Sequence, residues 1–374
     1  MTKARTNASA SPAVGRNMLI NGAMNVAQRG TSQTGLGANG ATYLIDRFYC
    51  YANATAGRFT KSQVADGPNG ISANCMKIDC TTADSSIAAA ENLTVLQAIE
   101  GQNVQRIGKG VTGAQQITAS FYCKASASFT FAANLYDNDN NRHISALFDV
   151  TTDWNRIVLT FPADVDDGSS PFGDDNAASL YFQIGLHVGS NESSGTLQTT
   201  WANYVANTTY AGIDSILSNT ANNFFLTGVQ LEVGPVATEF EQEDISTTLQ
   251  KCQRYFCKVT GSSGAAYQRF ARGHCANATT GAMGTFLPQN MRAFPTLGST
   301  GTASNYAVHH GAGTTALSAN PATEGGSDAF LSNSTNNHVV IVATTAADGL
   351  TAGQGCSLNA NGSEAAFLSF DAEL

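Results

Sequence analysis

Charged side chains make up 13% of the 374 residues, about half the share of an ordinary globular protein. The little charge present leans acidic, with a net charge of −9 and an isoelectric point near 5.1. A nucleic-acid partner calls for a basic patch, so that class is excluded. No apolar run approaches the roughly 18 residues that span a bilayer, so no membrane insertion is expected. Lys3, Arg5 and Arg16 near the start have no apolar block beside them, and no signal peptide is expected. The chain holds no C-x-x-C pair, no G-x-S-x-G, no Walker loop and no G-x-G-x-x-G after a strand. Nothing repeats at a short fixed period. His274, His309 and His310 have no serine or cysteine in a nucleophile motif to serve. No catalytic residues and no enzyme activity are expected.

Cysteine is not scarce: Cys50, Cys75, Cys80, Cys123, Cys252, Cys257, Cys275 and Cys356. The six histidines do not gather near them, which excludes a cysteine-based zinc site. A disulfide framework fits poorly in a long chain without an export signal. They read instead as small buried hydrophobes. Cys123 shares an alternating strand with Ile117, Ala119 and Phe121.

Gly, Ala, Ser, Thr and Asn take the place of charge, a composition suited to short strands and tight turns. Residues 1–40 are Ala/Ser/Thr/Gly-rich, with Met18-Leu19-Ile20 and Val26 as their apolar anchors. They read as a terminal arm that orders against a partner. Strand signals follow at Tyr43–Tyr51, Arg58–Val64, Met76–Cys80, Ile117–Ala125, Phe129–Leu135, His143–Val150, Trp154–Phe161 and Leu180–Val188. Ala89–Gly101 is compatible with a short helix or with a loop and strand. So many short strands at hairpin spacing predict an antiparallel sandwich.

Phe224–Lys258 links two β-rich modules. Phe225, Thr227, Val229, Leu231 and Val233 alternate with Phe224, Leu226, Gly228, Gln230 and Glu232, the period of a strand. Gly234-Pro235 ends it, since proline has no N–H to donate. Ile245, Leu249, Cys252 and Phe256 then mark one stripe of a helix, with Glu241, Glu243 and Asp244 at its start and Lys251, Arg254 and Lys258 near its end. Beyond the Gly261–Gly264 break, weaker strands are expected at Tyr267–Cys275, Ala282–Leu287, Tyr306–His309, Val339–Ala343 and Ala366–Asp371, with a turn at Met291–Pro295. Few large apolar residues remain there, which argues for support from oligomerisation.

Three stretches carry a family resemblance: Gly15–Gly22 running into Val26–Ser32, Leu226–Gly234 followed by Leu249-x-x-Cys252-Gln253-Arg254-Tyr255-Phe256, and Leu368–Leu374. In this order they resemble tail-fibre and minor structural proteins of tailed bacteriophages. The resemblance implies a structural protein on the exterior of a phage particle, made in the host cytoplasm. Its first expectation is a homotrimeric tail fibre that attaches to a host cell-surface glycan. A capsid-decorating or head-fibre protein and a sugar-cleaving tail spike are the alternatives. Other virion proteins, a tail adaptor or nozzle or the capsid, are the implied partners, with Met18, Leu19, Ile20, Gln28 and Arg29 as anchoring residues. Similarity to carbohydrate-binding-module-like jelly rolls selects a jelly roll from the sandwich class. The expected domains are an arm at 1–40, a jelly roll at 41–240, a linking helix at 241–258 and a β-rich domain at 259–374.

For glycan binding, an aromatic in a Thr/Asn-rich loop offers a stacking platform. Trp201, Tyr204 and Tyr210 are the candidates, with Tyr267, Tyr306 and Phe330 as alternatives; Trp154, opening a strand, reads as packing. Asp137-Asn138-Asp139-Asn140-Asn141 has the oxygen spacing of a calcium loop. Arg142 stands where such a loop needs glycine, and Phe148 where it needs a bidentate glutamate. A hairpin turn is therefore preferred to a structural Ca²⁺, and no cofactor is expected. Asp164, Asp166, Asp167, Asp174 and Asp175 read as a solvated acidic loop.

Overall fold

Alternating apolar and polar runs separated by Gly- and Asn-bearing turns set the architecture, and nearly all of them are strands. The computed structural model describes residues 15–165, 170–260, 266–311, 313–322 and 334–374. The chain divides into two units, Met1–Thr248 with Leu374, and Leu249–Glu373.

The first unit begins with β1 (Ser32–Leu36), β2 (Asn39–Tyr43), β3 (Tyr49–Asn53), β4 (Arg58–Val64), β5 (Cys75–Thr82) and β6 (Asn92–Glu100). A one-turn helix, α1 (Gly101–Val104), leads into β7 (Ile117–Ala125), β8 (Phe129–Asp137), β9 (Arg142–Val150), β10 (Asn155–Phe161) and β11 (Ala178–Val188). The short helix α2 (Ser190–Ser193) precedes β12 (Ala202–Asn203) and β13 (Asn223–Val233). The strands form two sheets, ordered β1-β4-β5-β13-β7-β10 and β12-β9-β8-β11-β6-β3-β2, with antiparallel pairing throughout. The chain crosses between sheets at β1–β2, β3–β4, β5–β6, β6–β7, β7–β8, β9–β10, β10–β11 and β12–β13, which makes an antiparallel jelly-roll sandwich. Phenylalanines fill the space between. Phe121 meets Phe148 edge-on at 5.0 Å, and Phe131 meets Phe224 at 5.6 Å. Full burial of each such ring contributes about 2 to 3 kcal/mol.

β13 is central, with β5 on one side and β7 on the other. Phe224 and Leu226 face the core, and so do Val229 and Leu231. The parity changes at a bulge between Thr227 and Gln230, where Gly228 has φ 60. The other face of the strand's end carries a buried polar cluster. Gln230 Nε2 donates to Glu232 Oε1, and the Thr238 N–H and hydroxyl donate to the two oxygens of that carboxylate.

The expected arm is corrected from residue 15 onward, because these residues are tied into the jelly roll. Asn17 accepts the Leu231 N–H and donates to the Val229 carbonyl, and the Met18 N–H donates to the Leu231 carbonyl. Glu241 closes the strap by accepting the N–H groups of Gly15 and Asn17. Asn21, at φ 61, donates to the Val26 and Asp46 carbonyls and accepts two N–H groups. A side chain at Gly22 would collide with the Val229 carbonyl. Residues 1–14 of the expected arm lie outside the described residues. At Ala89–Gly101 the helix alternative falls away: β6 is a strand with every residue buried, and a strand covered on both faces shows no period for a sequence reading to catch.

The second unit starts within α3 (Ile245–Gln253), the helix that crosses the boundary. The expected linker is therefore corrected: Phe256 does not continue the helical stripe but opens β14 (Phe256–Thr260). After it come β15 (Arg269–Cys275), β16 (Thr280–Phe286), β17 (Thr296–Ser299), β18 (Tyr306–His310), β19 (Gly313–Ala316), β20 (His338–Thr344), β21 (Gly355–Ala360) and β22 (Phe367–Asp371). They form the sheets β14-β22-β17 and β19-β18-β21-β15-β16-β20. Their core includes Met283, Tyr306, Val308, Ile341, Leu358, Leu368 and Phe370. Gly261–Gly264 lies outside the described residues.

Candidate functional site

β8 and β11 send Phe131, Leu135, Phe182 and Ile184 into the core. Alternation therefore puts Asn134, Tyr136, Tyr181 and Gln183 on the outer face of the β12-β9-β8-β11-β6-β3-β2 sheet. Register joins them in rows: Tyr181 opposite Tyr136, and Tyr136 opposite His143. One step along, Tyr49, Leu96, Gln183, Asn134 and Ser145 follow one another across five strands. Tyr136 and Tyr181 have ring centroids 6.0 Å apart, and Tyr204 meets Tyr136 edge-on at 5.3 Å and His143 at 5.1 Å. Tyr43 and Tyr49 form a tilted pair at 4.5 Å toward the other end, beside Tyr51, which is 43% exposed.

Tyr136, Tyr181, Tyr204 and Gln183 are half-buried, so each ring is held by neighbours while part of it meets solvent. Burial raises the phenol pKa of Tyr136, with Asp137 adding to it; burial does the same for Tyr181 and Tyr204. All three phenols stay protonated and can both donate and accept. Burial also pushes His143 down to about 4, so its imidazole is neutral at pH 7. The face thus offers apolar rings and uncharged polar groups, the chemistry that recognises a neutral polyhydroxylated ligand.

The sequence-predicted binding residues separate here. Tyr204 belongs to this face. Tyr210 does not present its ring: it is 2% exposed, packs on Gly185 and donates to Gln183 Oε1. Trp201 is no exposed platform either. Its ring packs against the sandwich core and its Nε1–H donates to the Pro162 carbonyl at 2.8 Å. Trp154 is half-buried, edge-on to Phe225 and under the Lys124 ammonium. Tyr306 is wholly buried and Tyr267 is 64% exposed, while Phe330 lies outside the described residues. Sequence reading missed Tyr136, Tyr181 and Gln183. The signal was their place opposite the core-facing phenylalanines, but only strand register shows that they meet.

Of the expected anchoring residues, Met18 and Leu19 are buried in the chain's own core. Ile20 exchanges backbone hydrogen bonds with the Gln97 side chain. Gln28 bonds to Asp46 through both its N–H and its side chain, and Arg29 lies over the Tyr43 ring.

The Asp137–Asn141 segment is a turn. The Asp137 carboxylate accepts the N–H groups of Asp139 and Asn140 and is paired with Lys109 at 2.9 Å. Arg142 holds Asp164 through two bonds, of 3.0 and 2.8 Å. Asp137 and Asp164 are therefore internal, not solvated; Asp174 and Asp175 are exposed, and Asp166 and Asp167 lie outside the described residues. All eight cysteines are buried, and none forms a disulfide. Burial raises Cys75 to about 11 and Cys123 to about 12, which keeps both as thiols.

In the second unit, Arg269, Arg272, His309 and His310 line a shallow cleft of about 390 Å³. Arg272, Ser357 and His309 form one cross-strand row. Burial, with Arg269 and His310 nearby, lowers the His309 pKa. Among the described residues, no helix is long and apolar enough to cross a membrane.

No family model and no curated protein matches the chain. Among solved structures, the enzymatically active domain of tailspike protein 4 from bacteriophage CBA120 aligns over 58% of this chain and 21% of its own, at 11% identity and a TM-score of 0.30. This chain thus spans about a fifth of that tailspike. A family 11 carbohydrate-binding module from Clostridium thermocellum aligns over 56% and 99%, at 11% identity and a TM-score of 0.27. The CBM22-1 xylan-binding domain of Xyn10C from Paenibacillus barcinonensis aligns over 59% and 96%, at 10% identity and a TM-score of 0.28. Likenesses this distant carry no argument about ligand or activity, and the jelly roll is defined by its own strand order.

Proposed function

We propose that this chain is a non-enzymatic structural protein on the exterior of a tailed-phage particle, a homotrimeric tail fibre whose first unit holds a host-surface glycan. The observation that carries the binding part is the outer face of Tyr136, Tyr181, Tyr204 and Gln183. There, half-buried rings and neutral hydrogen-bonding groups lie side by side. Stacking on sugar faces and directional bonds to hydroxyls need that combination. The virion part rests on the three sequence stretches, which support one another in space. Gly15–Gly22 is bonded to Val229 and Leu231, and Phe256–Thr260 pairs with Phe367–Asp371. Weak contacts repeated over three subunits and several fibres would multiply by effective concentration.

An array of purified bacterial surface polysaccharides, probed with the full chain, tests the reading. Binding to one glycan class is expected, with a loss of at least about tenfold in the double variant Tyr136→Ala/Tyr181→Ala at unchanged Tm. Undiminished binding by that variant removes the face from the proposal. Release of oligosaccharide from the bound glycan would replace a fibre by a cleaving spike. Native mass decides the assembly: a trimer is expected, and a monomer would favour a protein that decorates a shell.

A further inference from the structure

We infer that Asp84, Glu91 and His187 form a binding site for one divalent transition-metal ion of the zinc class. One ligand atom from each lies within 4.8 Å of the other two, and all three residues are buried. His187 Nε2 is 3.7 Å from Asp84 Oδ2 and 3.7 Å from Glu91 Oε2. These distances are too long for hydrogen bonds. They approach the edge of a coordination tetrahedron, about 3.4 Å for bonds near 2.1 Å.

Three separate elements bring the donors together. Asp84 follows β5 and is fixed by its N–H on the Leu217 carbonyl at 2.7 Å. Glu91 immediately precedes β6. His187 lies near the end of β11, where it is paired with Leu93 of β6. An ion here would pin the 83–91 connection to β11.

The surrounding contacts leave His187 Nε2 and Asp84 Oδ2 open, while Glu91 Oε2 keeps one bond, from the Ala88 N–H. His187 Nδ1 is 2.7 Å from Ser215 Oγ, the bond on the far ring nitrogen that orients a metal-binding imidazole. Asp84 Oδ1 accepts the Ser86 N–H, and the Glu91 carboxylate accepts the N–H groups of Ala56 and Ala88. Among the described residues, His187 Nε2 and Asp84 Oδ2 have no hydrogen-bond partner. Among the described residues, His187 is also the only basic side chain within ion-pair distance of either carboxylate. Two carboxylates and an imidazole lone pair aimed at one point are a poor arrangement without a cation, since buried charge must be compensated. The unpartnered Nε2 of His187, 3.7 Å from each carboxylate, is the ring atom placed to ligate. One imidazole with two carboxylates suits zinc, cobalt or manganese; calcium takes six to eight oxygens. Water completes the fourth position.

The full chain, stripped with a chelator, is dialysed against ZnCl₂ and separately against CoCl₂. One retained equivalent per chain is expected, with a rise in Tm and, for cobalt, the intense visible absorption of a tetrahedral site. His187→Gln and Asp84→Asn should each weaken retention at least about 100-fold, and Ser215→Ala, which keeps all three donors, about tenfold. Absence of retained metal on the wild-type chain overturns the site and leaves a protonated or hydrated cluster. Retention unchanged by both ligand variants overturns it too, as does calcium bound as firmly as zinc. If the ligand variants do not fold, the wild-type cobalt spectrum and Ser215→Ala decide: an octahedral spectrum with retention unaffected by Ser215→Ala rejects the assignment.

Discussion

Leu226 and Val229 stand three residues apart on β13, yet both point into the sandwich core. In a regular strand an odd spacing puts side chains on opposite faces. The bulge between Thr227 and Gln230 inserts the extra residue that restores both to one face. Gly228 makes this feasible at φ 60.

Gly228→Ala should therefore destabilise the first unit by about 2 to 4 kcal/mol, through left-handed strain and overpacking. An added Cβ would lie 2.7 Å from Ile71 Cγ2 and 2.8 Å from Tyr122 Cδ2. Urea unfolding followed by tryptophan fluorescence reads this unit alone, because Trp154 and Trp201 are the chain's two tryptophans. Gly113→Ala, with nothing within 4 Å of the new atom, serves as control and should shift stability by less than about 0.5 kcal/mol. Equal effects of the two substitutions would contradict this account of the bulge.

Much of the fold was legible because most strands bury one face. Ile117–Ala125 and Leu180–Val188 alternate and are strands. Where both faces are covered, as in Asn92–Glu100, period was no guide. Phe256 fits the stripe of α3 by spacing, but pairing with Asp371 makes it a strand residue, a contact over a hundred positions away. The N-terminal stretch was visible as a motif, but its partner on β13 was not. The site was less legible than the fold. Tyr136 meets Tyr181 through register, and His187 meets Asp84 from a distant part of the first unit's sequence. Trp201 looked like a platform because of its polar loop, yet the Pro162 carbonyl and the core hold it.

The strap at the start of the described chain should be a cooperative part of the jelly roll. Asn17→Ala removes the acceptor of the Leu19 and Leu231 N–H groups and the donor to the Val229 carbonyl. Each such bond is worth about 1 kcal/mol net, and leaving buried partners unpaired adds to the cost. A loss of about 2 to 3 kcal/mol is expected, with faster hydrogen exchange at the Met18 and Leu231 amides. Exchange unchanged at those amides would mean that the strap is held by other contacts.

Lys109 sits between Asp137 and Asp164, 2.9 and 4.0 Å away, and Arg142 balances the remaining charge. All four side chains are buried. Lys109→Met leaves an uncompensated carboxylate in the interior and should cost about 3 to 5 kcal/mol. Lys109→Met/Asp137→Leu removes the pair together and should recover most of that loss. If the double variant is no more stable than the single, then the Asp137 turn bonds to Asp139 and Asn140 matter more than the ion pair.

His143 should make the first unit sensitive to mild acid. It is wholly buried, with Nδ1 3.5 Å from Asn134 Nδ2 and Nε2 3.3 Å from Thr208 Oγ1. Burial holds its pKa at about 4, against about 6.5 in an unfolded chain. Between those values the unfolded chain binds a proton that the folded one does not. The contribution to stability is therefore complete above about pH 6.5 and is lost as pH falls toward 4. From pH 7.5 to pH 5 the loss from this group should be about 2 kcal/mol. His143→Gln keeps a neutral hydrogen-bonding side chain and removes the titration. Its stability, read by urea unfolding at both pH values, should fall by about 2 kcal/mol less than that of the wild-type chain. Carboxylates and His187 titrate in both proteins, so they cancel in the comparison. Parallel losses in the two would show that His143 is free to protonate in the folded state, and that the neutral character of the tyrosine face does not depend on its burial.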